Sequence, residues 1–362
     1  MAFGYEIDFL AVGDGERSGD AIAMRYGEPG AYRVHVTDGG NRDTGDLLVQ
    51  HIHKYYETDY VDLVVLTHVD DDHSSGLRPV LEDCRVGSLV MNRPWLYAAE
   101  VVHLFQDQRW TVQGLATRLR DNFPIVAELE DIAARRGTSV YEAFAGTILN
   151  DQFKILAPSR QRYLELIPQF SRTPQAERGA LPPMPRHGLG LRRALQGAAN
   201  WIRETWGIET LVEDPETSAS NESSVIQLGL MEDKRIMLNG DAGVQGLNEA
   251  VAVAAALGHY FPGLDFMQVP HHGSRHNVSP SVLNHIIGNP LTPGDAHQCT
   301  AFASVAKEST THPRKVVTNA FIRRGVSVHV TAGVGKRHHR NMPARANWSA
   351  STPVEFSEAV EA

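Results

Sequence analysis

The sequence predicts an α/β protein. Short apolar runs of strand length alternate with segments of helical period. Three of the runs lead straight into polar clusters: Leu66 to His68, Leu238 to Asp241 and Val269 to His271. Ligating and catalytic groups gather at such strand ends, where a sheet fixes the backbone and a loop exposes the side chains.

Taken in order, Tyr5–Val12 has strand composition and runs into a Gly/Asp-rich turn, Gly13–Asp20. Ala21–Tyr26 and Tyr32–Thr37 read as the next strands, the latter ending in Asp38-Gly39-Gly40, where glycine permits a positive φ and a close backbone approach. Asp46–Tyr56 reads as a helix with Leu47, Leu48, His51 and Ile52 on one face. Val61–Leu66 is the short apolar run of a strand covered on both faces, and it delivers the chain to Thr67-His68. Leu96–Ala145 is mostly helical in pattern, clearest over Thr111–Leu119 and Ile125–Arg136. Phe153–Leu156 is a short strand, and Ser171–Gly190, rich in Pro, Arg and Gly, is an aperiodic loop. Leu191–Trp206 reads as an amphipathic helix, and Ser224–Leu230 with Arg235–Leu238 as a hairpin turning at Glu232-Asp233-Lys234. Leu247–Leu257 is an Ala-rich helix and Asp265–Val269 a strand; Lys315–Val317 and Val326–Thr331 are read as the last strands. The tail, 341–362, shows no pattern and is expected to fray.

Composition narrows the function classes. With 42% hydrophobic and 21% charged residues the chain is an ordinary globular one, long enough at 362 residues for one large domain or two modest ones. No run approaches the ~20 apolar residues of a membrane helix, and Met1–Leu10 lacks the basic-then-apolar pattern of a secretory signal, so the expected compartment is the cytoplasm. Cys84 and Cys299 are far apart with no metal spacing, and are expected to be reduced, buried thiols. A net charge of −9 argues against a general polyanion binder. The charge is uneven, however: Ala301–Ala350 holds Lys307, Arg314, Lys315, Arg323, Arg324, Lys336, Arg337, Arg340 and Arg345 against the single acid Glu308.

His68-Val69-Asp70-Asp71-Asp72-His73 carries the strongest chemical signal. Two imidazoles and three carboxylates within six residues raise one another's electrostatic cost, and a divalent cation relieves it. Imidazole with carboxylate suits Zn, Mn or Fe rather than Ca or Cu(I). Asp241 follows the hairpin in Gly240-Asp241. Pro270-His271-His272-Gly273-Ser274 is the third element. Adjacent side chains of an extended chain point to opposite sides, so one histidine is expected to ligate, His271 for preference, with His272 behind it. His312-Pro313 is a further source of a ligand.

The 68–73 stretch resembles the His-x-His-x-Asp-His motif of the metallo-β-lactamase superfamily, with Asp70 in place of the second His. The order Val12-Gly13, Gly19-Asp20-Ala21-Ile22, Asp38-Gly39-Gly40, Thr67-His68 to His73, Asn221 to Ser224, Gly240-Asp241-Ala242, Pro270 to Ser274, then Ser304-Val305-Ala306-Lys307 and His312-Pro313, is similar to the ComEC-type hydrolase domain of DNA-uptake proteins. The resemblance implies a four-layer αβ/βα sandwich in one domain, residues 1–340, with an insertion at about 94–211. It implies that His68 and Asp70 serve one metal and Asp72 and His73 a second, with Asp241 bridging and His271 completing the set. The family's middle histidine has no match, since neither His103 nor His187 follows a strand; Asn221 occupies that region.

The function this implies is hydrolysis through metal-activated water, using one or two Zn or Mn ions, with phosphodiesters of DNA or RNA as the first substrate class and segment 301–350 as the phosphate-holding surface. Asp72 or Asp241 would orient the water. His272, Lys307 or His312 would steady the transition state or protonate the leaving oxygen. A small-molecule hydrolase acting on a lactone, thioester or cyclic nucleotide, and an inactive metal-binding regulatory module, are the alternatives.

Overall fold

The computed structural model describes residues 2–13, 15–174, 201–295 and 299–361. Its strands are β1 (Gly4–Phe9), β2 (Ala21–Gly27), β3 (Arg33–Gly39), β4 (Tyr60–Val65), β5 (Arg85–Val90), β6 (Ser139–Tyr141), β7 (Phe153–Ala157) and β8 (Trp201–Arg203). They continue with β9 (Ile226–Met231), β10 (Lys234–Leu238), β11 (Phe266–Gln268), β12 (Cys299–Ala303), β13 (Val326–Val330), β14 (Lys336–Arg340) and β15 (Ala359–Glu361). A seven-stranded sheet runs β14-β1-β2-β3-β4-β5-β6 and a six-stranded sheet runs β13-β12-β11-β10-β9-β7.

The layers follow from which residues each strand buries. On β1, Tyr5, Ile7 and Phe9 alternate toward the second sheet, where they meet Ile236, Leu238, Phe266 and Phe302. The outer face of the first sheet packs on helices through Leu48, Leu77, Leu119 and Leu129. The second sheet does the same through Leu247, Val282 and Phe321. The result is helix, sheet, sheet, helix. Both sheets are mixed: β3, β4, β5 and β6 are parallel, as are β10, β11, β12 and β13, while β14-β1-β2-β3 and β10-β9-β7 pair antiparallel. Parallel strands of both sheets therefore end on one edge, at Gly39, Val65, Leu238, Gln268 and Ala303. Ligand sites of open α/β sheets lie at such carboxyl ends.

Local chemistry fixes the helices. Asn41 caps Arg42–His51 by accepting the Thr44 N–H at 2.9 Å, so this helix starts before the apolar stripe does. Pro124 opens Pro124–Arg136 and left-handed Gly137 closes it.

Several expectations are corrected. Lys315–Val317 is the first turn of helix Lys315–Arg323, because Val316, Val317, Ala320 and Phe321 repeat at helical spacing. The end of the expected helix Leu191–Trp206 is strand β8, and the rest of that segment, like most of Ser171–Gly190 and His187, lies outside the described residues. The tail is placed rather than frayed: β15 pairs with β8, Val360 is buried, and Arg345 grips Asp8 through both guanidinium nitrogens at 2.8 Å. Region 94–211 contributes β6 to one sheet and β7 to the other.

Candidate metal centre

The edge shared by the two sheets carries the chemistry. β4 leads through Leu66-Thr67 to His68, and the one-turn helix Asp71–Ser74 presents His73. Asp38, at the end of the neighbouring β3, is fully buried with φ 56°. It accepts hydrogen bonds from the Thr67 N–H at 2.8 Å, the Thr67 hydroxyl at 2.6 Å and His73 Nδ1 at 2.7 Å. Its bond to Nδ1 leaves His73 Nε2 bare and directed at Asp241. Gly76 allows this packing: a Cβ there would stand 1.9 Å from the Gly39 carbonyl oxygen.

From the second sheet, β10 delivers Asp241 through left-handed Gly240, where a Cβ would press the Thr67 side chain at 2.8 Å. The Gln268 side-chain oxygen takes the N–H groups of Asn239 and Gly240 at 2.8 and 3.0 Å, and its nitrogen donates to Asp20 Oδ2 at 2.8 Å. One side chain thus ties the Asp241 turn to a buried acid on the other sheet.

The two oxygens of Asp241 face separate histidine pairs. Oδ1 lies 3.4 Å from His73 Nε2 and 3.9 Å from His272 Nε2. Oδ2 lies 3.5 Å from His271 Nε2 and 3.9 Å from His68 Nε2, and His68 Nε2 is 3.5 Å from Asp70 Oδ2. Asp20, His73, Asp241 and His272, all buried, each bring a ligand atom within 4.8 Å of the others.

Burial sets the protonation pattern, and neighbours adjust it. Burial drives the Asp20 carboxyl up to about 8, against the pull of His73 and with the push of Asp241. Burial also raises Asp72. For Asp241 burial acts upward, but His271, His73 and His272 together hold it well below the usual carboxylate range. His73 would be lowered by burial, yet Asp241 and Asp38 keep it well above 6.5. Burial lowers His272 to about 3 and, with His271 and Arg314, lowers His312 to about 4.

A cation fits this donor set. Asp20 Oδ1, His68 Nε2, His73 Nε2, Asp241 Oδ1 and both ring nitrogens of His272 are buried and make no hydrogen bond. Each such atom costs about 1–3 kcal/mol when left unsatisfied, and all of them belong to residues of one cluster.

The structure thus brings His68, Asp70, His73, Asp241 and His271 together, with Asp72 half-buried beside them. The expectation that only one of the adjacent histidines faces inward is corrected. His271 and His272 have φ 46° and 57°, not extended backbone, and both rings turn toward Asp241. His312 stacks at the rim, 6.0 Å from the His271 ring centroid. Lys307 is exposed, with its methylenes over Gly333, and among the described residues no contact joins it to the cluster. Asp20 and Asp38 had no assigned role in the sequence, because a single acid beside a glycine carries no spacing signal.

Segment 301–350 is mostly paired internally. Arg323 binds Glu204, Arg324 binds Glu209, Arg337 binds Glu6, Arg340 binds Asp233, and Arg345 binds Glu6 and Asp8.

The fold and site define an αβ/βα sandwich with a buried histidine–carboxylate centre at the edge shared by its two sheets, the metallo-β-lactamase architecture. No protein-family profile matches the chain, and no curated protein matches it. Among solved structures it is similar to the metallo-β-lactamase fold protein YhfI from Bacillus subtilis, at 7% identity and TM-score 0.44, covering 94% of this chain and 100% of that one. It is similar to a diphosphatase of the PhnP family at 11% identity and TM-score 0.40, covering 93% and 99%. Zn(2+)-bound PqqB from Methylobacterium extorquens is matched at 13% identity and TM-score 0.39, covering 91% and 99%.

Proposed function

We propose that the protein is a metal-dependent hydrolase of phosphodiesters that employs a pair of divalent ions. The observation that carries this reading is the division of Asp241: Oδ1 faces His73 and His272, while Oδ2 faces His271 and His68. A carboxylate between two sets of bare imidazole nitrogens suits a bridge between two cations. His68, Asp70 and His271 would hold one ion with Oδ2; Asp20, Asp72, His73 and His272 would hold the other with Oδ1. Zn or Mn suits these donors. Bound there, such ions polarise a phosphoryl group and make water a nucleophile near neutral pH. Asp72 orients the attacking water, and His312 at the rim is placed to hydrogen-bond a substrate oxygen.

DNA and RNA are the first substrates to assay. The internal pairing of Arg323, Arg324, Arg337, Arg340 and Arg345 favours a second reading, a small phosphodiester in place of a long polyanion. The test supplies the purified protein with Mn²⁺ or Zn²⁺ and offers single- and double-stranded DNA, RNA, a cyclic nucleotide and bis(p-nitrophenyl) phosphate. Turnover of any of these that disappears in Asp241→Ala supports the proposal. Wild type indistinguishable from Asp241→Ala on every one of them defeats it, and turnover confined to the small esters selects the second reading.

A further inference from the structure

We infer that the turn Ser218–Ser224 is a dedicated support for one half of the centre, with Ser220 and Asn221 as positioning residues for the ion held by His68, Asp70, His271 and Asp241 Oδ2. This rests on the two-ion reading above and assigns the two ions separate scaffolds.

The geometry around His271 is specific. Its Nδ1 lies 2.8 Å from Asn277 Oδ1 and 3.1 Å from the Asn221 amide. The Asn277 nitrogen is identified by its bond to the Asp241 carbonyl at 2.7 Å, so the atom facing His271 is an oxygen. An oxygen there requires a proton on Nδ1, which leaves Nε2 with a lone pair toward Asp241 Oδ2. The Asn221 amide nitrogen stands against the same ring edge, held there because its oxygen accepts the Ser218 hydroxyl at 2.7 Å. The neighbouring Ser220 hydroxyl donates to Asp70 Oδ2 at 3.4 Å. Two ligands of one ion are therefore braced by consecutive residues of one turn.

The turn is anchored from behind. Ser218 caps it by accepting the Asn221 N–H at 3.1 Å. Glu222, buried, accepts the Gly246 N–H at 2.9 Å, and Arg162 donates to both the Glu222 carboxylate and, at 2.8 Å, its carbonyl. The other half of the centre draws on different groups: Asp38 holds His73 and Gln268 holds Asp20. Among the described residues, no hydrogen bond joins the Ser220 or Asn221 side chain to Asp20, His73 or His272. The halves meet at Asp241, whose N–H is taken by Ser224 at 3.2 Å, so Ser224 is left unaltered in the test.

The experiment titrates metal-free protein with Mn²⁺ by calorimetry and with Co²⁺ by absorbance, for wild type and for the double variant Ser220→Ala/Asn221→Ala. Wild type is expected to take up two ions. In the double variant one binding step weakens about 10- to 100-fold, the range for residues behind metal ligands, while the other step and the urea midpoint of the metal-free protein hold. Should the double variant fold poorly, Ser220→Ala alone reports in the same direction. Equal weakening of both steps, or of neither, overturns the inference. Wild type that takes up fewer than two ions overturns the two-ion reading itself, a failure visible before any variant is made.

Discussion

Asp38→Asn isolates the role of the buried carboxylate behind the centre. Asp38 receives three hydrogen bonds, from the Thr67 N–H, the Thr67 hydroxyl and His73 Nδ1, at 2.8, 2.6 and 2.7 Å. Asparagine keeps the shape and tolerates the left-handed backbone at φ 56°, so strain contributes little. What changes is the acceptor. A bond to a charged group is worth about 1.5–3 kcal/mol and a neutral one about 0.5–1.5, so each loses about 1 kcal/mol and the set about 3. The asparagine nitrogen also sets a donor against one of the donors already there. Urea unfolding of the metal-free protein is expected to show that loss, and calorimetry a metal affinity lowered about 10- to 100-fold as His73 loses its orientation. A stability loss below about 0.5 kcal/mol together with unaltered metal affinity would refute the assignment of Asp38 as the group that orients His73 and Thr67.

Other expectations follow from single contacts. Gly76→Ala places a Cβ 1.9 Å from the Gly39 carbonyl, which is backbone and cannot yield, so a loss at or above the usual overpacking cost of about 1–3 kcal/mol is expected; wild-type urea stability would refute the close approach. Arg345→Met leaves buried Glu6 and Asp8 short of a partner, at about 3–5 kcal/mol. If Arg345 holds substrate instead, KM will rise while stability holds. His35 sits fully buried, and burial lowers it from 6.5 to about 3 against the upward pull of the neighbouring Gln227 side chain. The unfolded chain binds a proton there below about 6.5 and the folded chain does not, so its contribution is intact above 6.5 and is lost progressively as pH falls toward 3. His35→Gln is expected to flatten that acid limb in pH-dependent unfolding, and a limb identical to wild type counts against it.

Much of the fold was legible where the pattern is local. Strand β4 could be read because its buried run is continuous, and Pro124–Arg136 because an apolar stripe and a terminal glycine bound it. Strand β14, Lys-Arg-His-His-Arg, could not. Its side chains are polar because they meet Glu6, Asp233 and the ring of Phe266, partners supplied by other elements. The 68–73 cluster was legible because its groups are crowded within six residues. Asp20 and Asp38 were not, since each is one acid whose meaning comes from a neighbour on another element, Gln268 in one case and Thr67 with His73 in the other. The histidine pair was misread through an assumed extended backbone; left-handed φ values at both residues bring two rings to one side. In the basic segment, composition counts charges without showing which of them have acidic partners, such as Arg323 and Arg324, buried on Glu204 and Glu209.

The position of Asp241 explains why the centre belongs to this fold rather than to any one loop. His68, His73, Asp20 and Asp38 are carried by the first sheet, and Asp241, His271 and His272 by the second. Direct bonds already cross between the sheets here: Val225 N–H to the Thr67 carbonyl at 2.9 Å, Gln268 to Asp20 at 2.8 Å and Gln227 to Thr37 at 3.1 Å. Those bonds hold the docked arrangement while the bare nitrogens and oxygens around Asp241 oppose it, because each gives up water without gaining a partner. On the two-ion reading, cations held by these residues would remove that opposition and tie the two halves of the sandwich together. Metal affinity and fold stability at this edge would then be one quantity measured in two ways, and a residue that loosens the docking of the sheets would weaken ion binding without touching the ions.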